Sequence, residues 1–151
     1  MNHYLSLRPA SRRPLDGFSL IEAMVAVTII GILAAVSIPS YRRAIEQSKA
    51  DIAAANLRAV WSAQRFYWLE YQCFAADLAQ LQSLGLIDPA VVLSNTGYEY
   101  SMRSSGSDNF RATATRTNSA DFSGHFDIDE TGLISGAICS PGTSDITPGY
   151  Q

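Results

Sequence analysis

The chain has 151 residues, 47% of them apolar, and a formal charge of −3. That length fits one domain, and the mild acidity offers nucleic acid no general attraction. Beyond residue 17 the chain has two cysteines and one histidine, His125, too few for a four-ligand structural zinc site.

Residues 1–17 carry Arg8, Arg12 and Arg13 against Asp16 and are interrupted by Pro9 and Pro14. They predict no folded element. They hold a charge of +2, so the chain without them carries −5. Phe18-Ser-Leu-Ile-Glu22 follows, and Ala23 to Ile38 is uncharged. An apolar stretch of about twenty residues is enough to cross a bilayer as a helix. A secretory signal shares the basic start, but it is cut beyond the apolar stretch at small residues, which Ser37-Ile38-Pro39 matches poorly. Arg42, Arg43 and Lys49 follow the span, so the short N-terminal arm favours an N-inside orientation more than charge does.

Glu22 is the anomaly. A carboxylate in an apolar helix costs about 2.5–3.5 kcal/mol at the membrane centre and less near an end. One reading is a carboxylate that reaches the membrane interface. The other requires a positive partner, and the apolar run contains no Lys or Arg. A new α-amino group on Phe18, made by cleavage after Gly17, supplies one. Paired between staggered neighbours, the two groups set an axial register.

Gly17-Phe18-Ser19-Leu20-Ile21-Glu22, continued through Gly31 and Ile38-Pro39-Ser40-Tyr41, resembles the prepilin signature of type IV pilins and type II secretion pseudopilins. The resemblance implies cleavage between Gly17 and Phe18 by a membrane prepilin peptidase, with N-methylation of Phe18. It also implies pairing of Glu22 with a neighbour's Phe18 amine during assembly. Asp16 departs from the family, which more often has a basic or neutral residue there.

A helix apolar on every face must be buried, in lipid or among other helices. Ala23, Ala26, Gly31, Ala34 and Ala35 allow close helix approach, and contacts that do not close into a ring give an open filament. Gly31 and Pro39 weaken the helix. The family resemblance implies local loss of helicity inside a fibre; an ordinary kink at the membrane surface is the alternative.

From residue 40 the pattern turns amphipathic. Ile45, Ile52, Ala53, Leu57, Val60, Trp61, Gln64, Trp68 and Tyr71 are expected inward, and Arg43, Glu46, Asp51, Arg58 and Arg65 outward. One helix from about 19 to 72 is predicted. The aromatic run Phe66 to Tyr71 reads as core and groove packing. Ala76 to Leu86 reads as a short helix or loop, stopped near Gly85 and broken by Asp88-Pro89. Strands are expected at 98–102, 109–116, 124–128 and 133–137, with turn-rich loops at 104–108 and 117–123. The fold class is α+β, a long N-terminal helix packed on a small antiparallel meander, which is also the plan of small pilins and pseudopilins. The expected division is a leader at 1–17, a transmembrane and filament-core half at 18–39, and a globular domain at 40–151. Residues 140–151 are expected to be irregular and pinned by Cys139.

Cys73 and Cys139 are either two free thiols or one disulfide, the latter requiring an oxidising compartment. A bridge over that span contributes roughly 4 kcal/mol in the loop-entropy account. Pilins often close a short C-terminal loop instead, so this pairing departs from the family.

Asp127-Ile-Asp129-Glu-Thr131-Gly132 begins like a calcium loop, but Ile138 stands where the twelfth-place glutamate belongs, so a β-turn is expected. His125, Asp127 and Asp129 share a strand face and read as a solvated edge rather than a metal site. Arg103, Arg111 and Arg116 suggest a basic strip without interleaved aromatics, which argues against DNA as a partner. No glycine-rich phosphate loop and no serine with a base partner is present. The expectation is therefore a non-enzymatic subunit without cofactor or metal.

The functional expectation is a structural subunit of a type IV pilus, serving adhesion, twitching motility or DNA uptake. A pseudopilin of a type II secretion system is the alternative, and a membrane-anchored binding domain that forms no fibre is a third. Implied partners are copies of itself or other pilins, the prepilin peptidase and an inner-membrane assembly platform. The expected location is a single-pass inner-membrane protein with a periplasmic domain, then an extracellular pilus or a periplasmic pseudopilus.

Overall fold

The computed structural model describes residues 17–93, 96–104, 107–140, 142 and 144–149. The basic leader residues, including Arg8, Arg12, Arg13 and Asp16, lie outside the described residues, as do parts of the expected loop at 104–108 and of the tail. The chain divides into two compact units at Pro39 and Ser40.

Helix α1 runs Leu20–Tyr71 and contains Pro39. Two short helices follow, and each begins at an aspartate that satisfies an orphan N–H of the first turn. Asp77 accepts from the backbone N–H of Gln80 to start α2, Leu78–Ser83. Asp88 accepts from Ala90 to start α3, Pro89–Val92, with Pro89 in the first turn where its missing N–H costs nothing. Asp88-Pro89, expected only to break structure, thus also starts a helix.

Four strands form an antiparallel meander in the order β1-β2-β3-β4: Tyr98–Ser104, Phe110–Arg116, Ser123–Asp129 and Ile134–Cys139. Ala112 faces Met102 on one side and Ile128 on the other. The α+β architecture and the strand alternation agree with the sequence reading. Phe110, Ala112 and Ala114 are buried from β2, and Phe126 and Ile128 from β3. Opposite them, α1 supplies Ala50, Ala53, Ala54, Leu57, Val60 and Ala63. Four of these six are alanines, and they share one core with the larger side chains of the sheet.

The buried face of α1 differs from the expected one. It comprises Glu46, Ala50, Ala53, Ala54, Leu57, Val60, Ala63, Gln64 and Tyr67. Ile45, Ile52 and Tyr71 are exposed, and Glu46 is buried. The aromatic run splits for the same reason: Tyr67 is buried and Trp68 packs against the core, whereas Phe66 and Leu69 are about two-thirds exposed, at 65% and 66%. A run of consecutive residues on a helix points in every direction, so it cannot pack on one side only.

The β3–β4 connection is a tight turn. Asp129 accepts from the backbone N–H of Thr131 at 2.9 Å, and the Gly132 N–H donates to the Asp129 carbonyl at 3.0 Å. Gly132 has φ of 82° and lies against the Trp61 indole, where a Cβ would stand 3.0 Å from the ring. Glycine is required there for both conformation and space.

Candidate assembly site

The N-terminal unit begins its helix at once. The Ala23 N–H donates to the Ser19 carbonyl at 3.1 Å, and Glu22 sits exposed in the first turn. A carboxylate there is favoured by the positive end of the helix dipole by about 0.3–1 kcal/mol. Phe18 is 75% exposed and Ile21 67%. Thr28 donates its hydroxyl to the Met24 carbonyl at 2.8 Å, which satisfies its polar group within the helix. Leu20, Met24, Val27, Ile30, Leu33 and Val36 are all more than half exposed. Among the described residues, α1 is the one helix long and apolar enough to cross a membrane, and its apolar window is bare. Gly31 lies within this helix with open space beside it.

The second unit is held by polar groups that cross from α1 to the sheet. Glu46 accepts from Arg116 Nε at 2.5 Å and from Nη2 at 3.0 Å. Arg116 Nη1 also donates to the Gly97 carbonyl at 2.8 Å and to the Thr117 carbonyl. A Cβ at Gly97 would collide with that guanidinium. Tyr98 donates to Glu46 at 3.4 Å. Burial, then the adjacent carboxylate of Glu46, pushes the Tyr98 phenol well above its ordinary value. Gln64, fully buried, donates to the Ala75 carbonyl and accepts from the Ala75 N–H, at 3.0 and 2.9 Å. Trp61 donates to the Glu130 carbonyl at 3.1 Å.

Sequence reasoning missed Glu46 and Arg116 as partners, placing one outward and the other in a basic strip. Burial of Arg116 breaks that strip. Arg103 and Arg111 face each other across β1 and β2, with Arg111 3.9 Å from Asp127. Asp127 accepts from the Thr113 hydroxyl at 2.7 Å and lies 3.9 Å from His125, while Asp129 serves the turn.

Of the two alternatives for Cys73 and Cys139, the structure has the free thiols and not the disulfide. Phe74, next to Cys73, packs its ring at a tilt against Phe110 at the start of β2, with ring centroids 5.0 Å apart. Cys139 ends β4 opposite Ser123, at the other end of the sheet and on its far edge. Strands stand about 4.8 Å apart, and a disulfide needs Cα atoms within about 7 Å. The described tail is held by other means. Ile146 pairs with Ile138 by two backbone bonds of 2.9 Å. Gln47 donates to the Thr147 carbonyl, Arg43 to the Ser144 hydroxyl, and the Gly149 N–H to Asp51.

Residues 16–38 match the family described as the prokaryotic N-terminal methylation motif. Over 65 residues the chain is 43% identical to the type IV major pilin protein PilA of Myxococcus xanthus, covering 41% of this chain and 30% of that protein. It is 36% identical over 73 residues to the type II secretion system core protein G of Pseudomonas aeruginosa, covering 48% of this chain and 51% of the other. It is 35% identical over 74 residues to the type IV wide pilus major component PilA4 of Thermus thermophilus, covering 49% and 56%. The matches thus span at most a little over half the length of these relatives. The motif and these likenesses support the type IV pilin and pseudopilin family.

Proposed function

We propose that this chain, which carries the N-terminal segment of the type IV pilin and pseudopilin family, is a structural subunit of a type IV pilus. The observation that carries the reading is the methylation motif at 16–38, of which residues 20–38 lie on a helix that is apolar on all sides and bare. Such a helix is stable in lipid or among its own kind, and a subunit that exchanges one for the other passes from membrane to fibre.

In this reading the prepilin peptidase cuts between Gly17 and Phe18 and methylates the new amine. The chain waits as a single-pass inner-membrane protein with residues 40–151 in the periplasm, then enters the fibre at an inner-membrane assembly platform. Phe18 and Glu22 set the register, with the amine of one subunit against the carboxylate of the next. Gly31 and Pro39 give the helix local freedom as it leaves lipid. Partners are copies of this chain or other pilins, and the work is mechanical rather than catalytic. The likeness to core protein G favours one second reading, a pseudopilin whose fibre stays in the periplasm.

Mass spectrometry of sheared surface material beside the cell envelope tests this. A methylated Phe18 N-terminus in the sheared fraction is the expected result. The same processed form confined to the envelope selects the pseudopilin, and an intact Met1 start in both fractions removes the processing and the fibre together.

A further inference from the structure

The face of the sheet turned away from α1 is polar across β1, β2 and β3. Its outward positions hold serine, threonine, arginine, histidine, aspartate and glutamate, and no hydrocarbon side chain. The register sets Ser101 opposite Thr113 and Arg103 opposite Arg111. On the next strand it sets Asp127 opposite Thr113 and His125 opposite Thr115. These side chains line a hollow of about 350 Å³, the size of a small-ligand site. The hollow lies wholly within the second unit.

Arg103 and Arg111 are out of place by pairing rules, since like charges directly across two strands repel. The acidic groups of the face do not offset them. Asp127 stands 3.9 Å from Arg111, beyond a direct hydrogen bond. One of its oxygens accepts from the Thr113 hydroxyl at 2.7 Å, and the other also lies 3.9 Å from His125. Asp129, opposite Arg111, is engaged by Thr131 in the β3–β4 turn. Glu99 is four residues from Arg103 along β1, about 13 Å away. Among the described residues, Arg103 has no ion pair or hydrogen bond, and the Ser101 and Thr115 hydroxyls have no partner. The lining thus carries two fixed positive charges against one negative, on a chain whose net charge is −3.

We propose that this hollow binds an acidic sugar, its carboxylate held across Arg103 and Arg111 and its hydroxyls set against Ser101, Thr113 and Thr115. A guanidinium fork matches a carboxylate in shape as well as charge, and an anion between the two arginines turns their repulsion into shared attraction. The hydroxyl row supplies what a sugar ring needs. Ser101 and Thr115 can each donate and accept, and Thr113, whose proton goes to Asp127, can accept. The same features speak against other occupants. His125 is the single ring on the face, so successive nucleobases have no platform to stack on. A protein partner finds no pocket for an apolar or aromatic anchor. The inference goes beyond the filament reading and does not depend on it.

The test uses the full-length chain in non-ionic detergent, with binding followed by NMR at the arginine Nε–H groups and the strand amides. Galacturonate is the probe, and galactose and acetate are the controls, all at one ionic strength. Saturable shifts at Arg103, Arg111 and Thr115 are expected, with galacturonate at least about tenfold tighter than either control. Acetate as tight as galacturonate would reduce the site to a simple anion patch, and galactose as tight would remove the arginines from recognition. Shifts that do not saturate, or saturation by oligothymidylate and not by galacturonate, overturn the proposal as well. Arg103→Gln is expected to weaken galacturonate about tenfold or more while Tm holds or rises, because the repulsion across the strands is gone. Thr115→Val is expected to weaken galacturonate and leave acetate unchanged. Unaltered galacturonate affinity in either variant overturns the assignment.

Discussion

Glu46 on α1 and Arg116 at the end of β2, seventy positions apart, meet as a two-pronged ion pair whose side chains are only 3% and 5% exposed. A buried pair of this kind adds little over well-packed apolar residues, but breaking it leaves one charge stranded. Glu46→Ala is expected to destabilise the second unit by about 3–5 kcal/mol in urea denaturation. Glu46→Met with Arg116→Met is expected to recover part of that loss. No recovery would show that Arg116 acts through its bonds to the Gly97 and Thr117 carbonyls instead.

Tyr98, beside that pair, gives the alkaline limb of the stability profile a direction. Its folded phenol is raised by burial and by Glu46, while in the unfolded chain it ionises near pH 10. The folded state therefore holds the proton that the unfolded state releases. The stabilisation is complete below about pH 10 and is lost as pH rises beyond it, toward the folded value. Thermal melts from pH 8 to 11 are expected to fall more steeply above pH 10 in the wild type than in Tyr98→Phe. Equal slopes would remove the contribution.

Gln64 closes the turn after α1 by answering both backbone groups of Ala75. Gln64→Leu keeps the volume but leaves a buried donor and a buried acceptor unpaired. The expected loss is about 1–3 kcal/mol for each orphaned group. Hydrogen exchange at the Ala75 amide is expected to speed up in step; unchanged protection would mean that another group replaces Gln64.

Cys139 is a free, exposed thiol whose ionisation is opposed first by the charge of Asp145, then by partial burial and a hydrogen bond to the same carboxylate. Thiols react as thiolates. Alkylation of Cys139 at pH 8 is expected to be slower than that of an unstructured cysteine, and faster in Asp145→Asn. The same rate in both proteins would separate the two residues.

The assembly reading is tested at Glu22, which is exposed in the first turn of α1. Glu22→Ala removes the one charge between Phe18 and Ile38 and leaves the span more lipid-compatible. Processed protein is expected to accumulate in the envelope while sheared fibres fall about tenfold or more, equivalent to at least about 1.4 kcal/mol of lost assembly energy. Fibres at wild-type yield would sink the register model.

The sequence by itself determined the parts governed by local rules. The motif from Gly17 to Glu22 is contiguous, and the apolar run to Ile38 declares its need for cover without any partner in view. The strands of β2 and β3 were legible because a two-residue period marks one face without ambiguity. The second half of α1 was not legible in the same way. Apolar residues on both its faces recur by threes and fours, so Ile45 and Ile52 looked like core although they are exposed. Glu46 looked solvent-facing because its burial depends on Arg116, delivered by a strand seventy residues away. Charge pairing across such a distance carries no local signal. The separation of Cys73 from Cys139 was likewise decided only by the tertiary structure, which sets Phe74, next to Cys73, against the start of β2 and Cys139 at the other end of the sheet on β4.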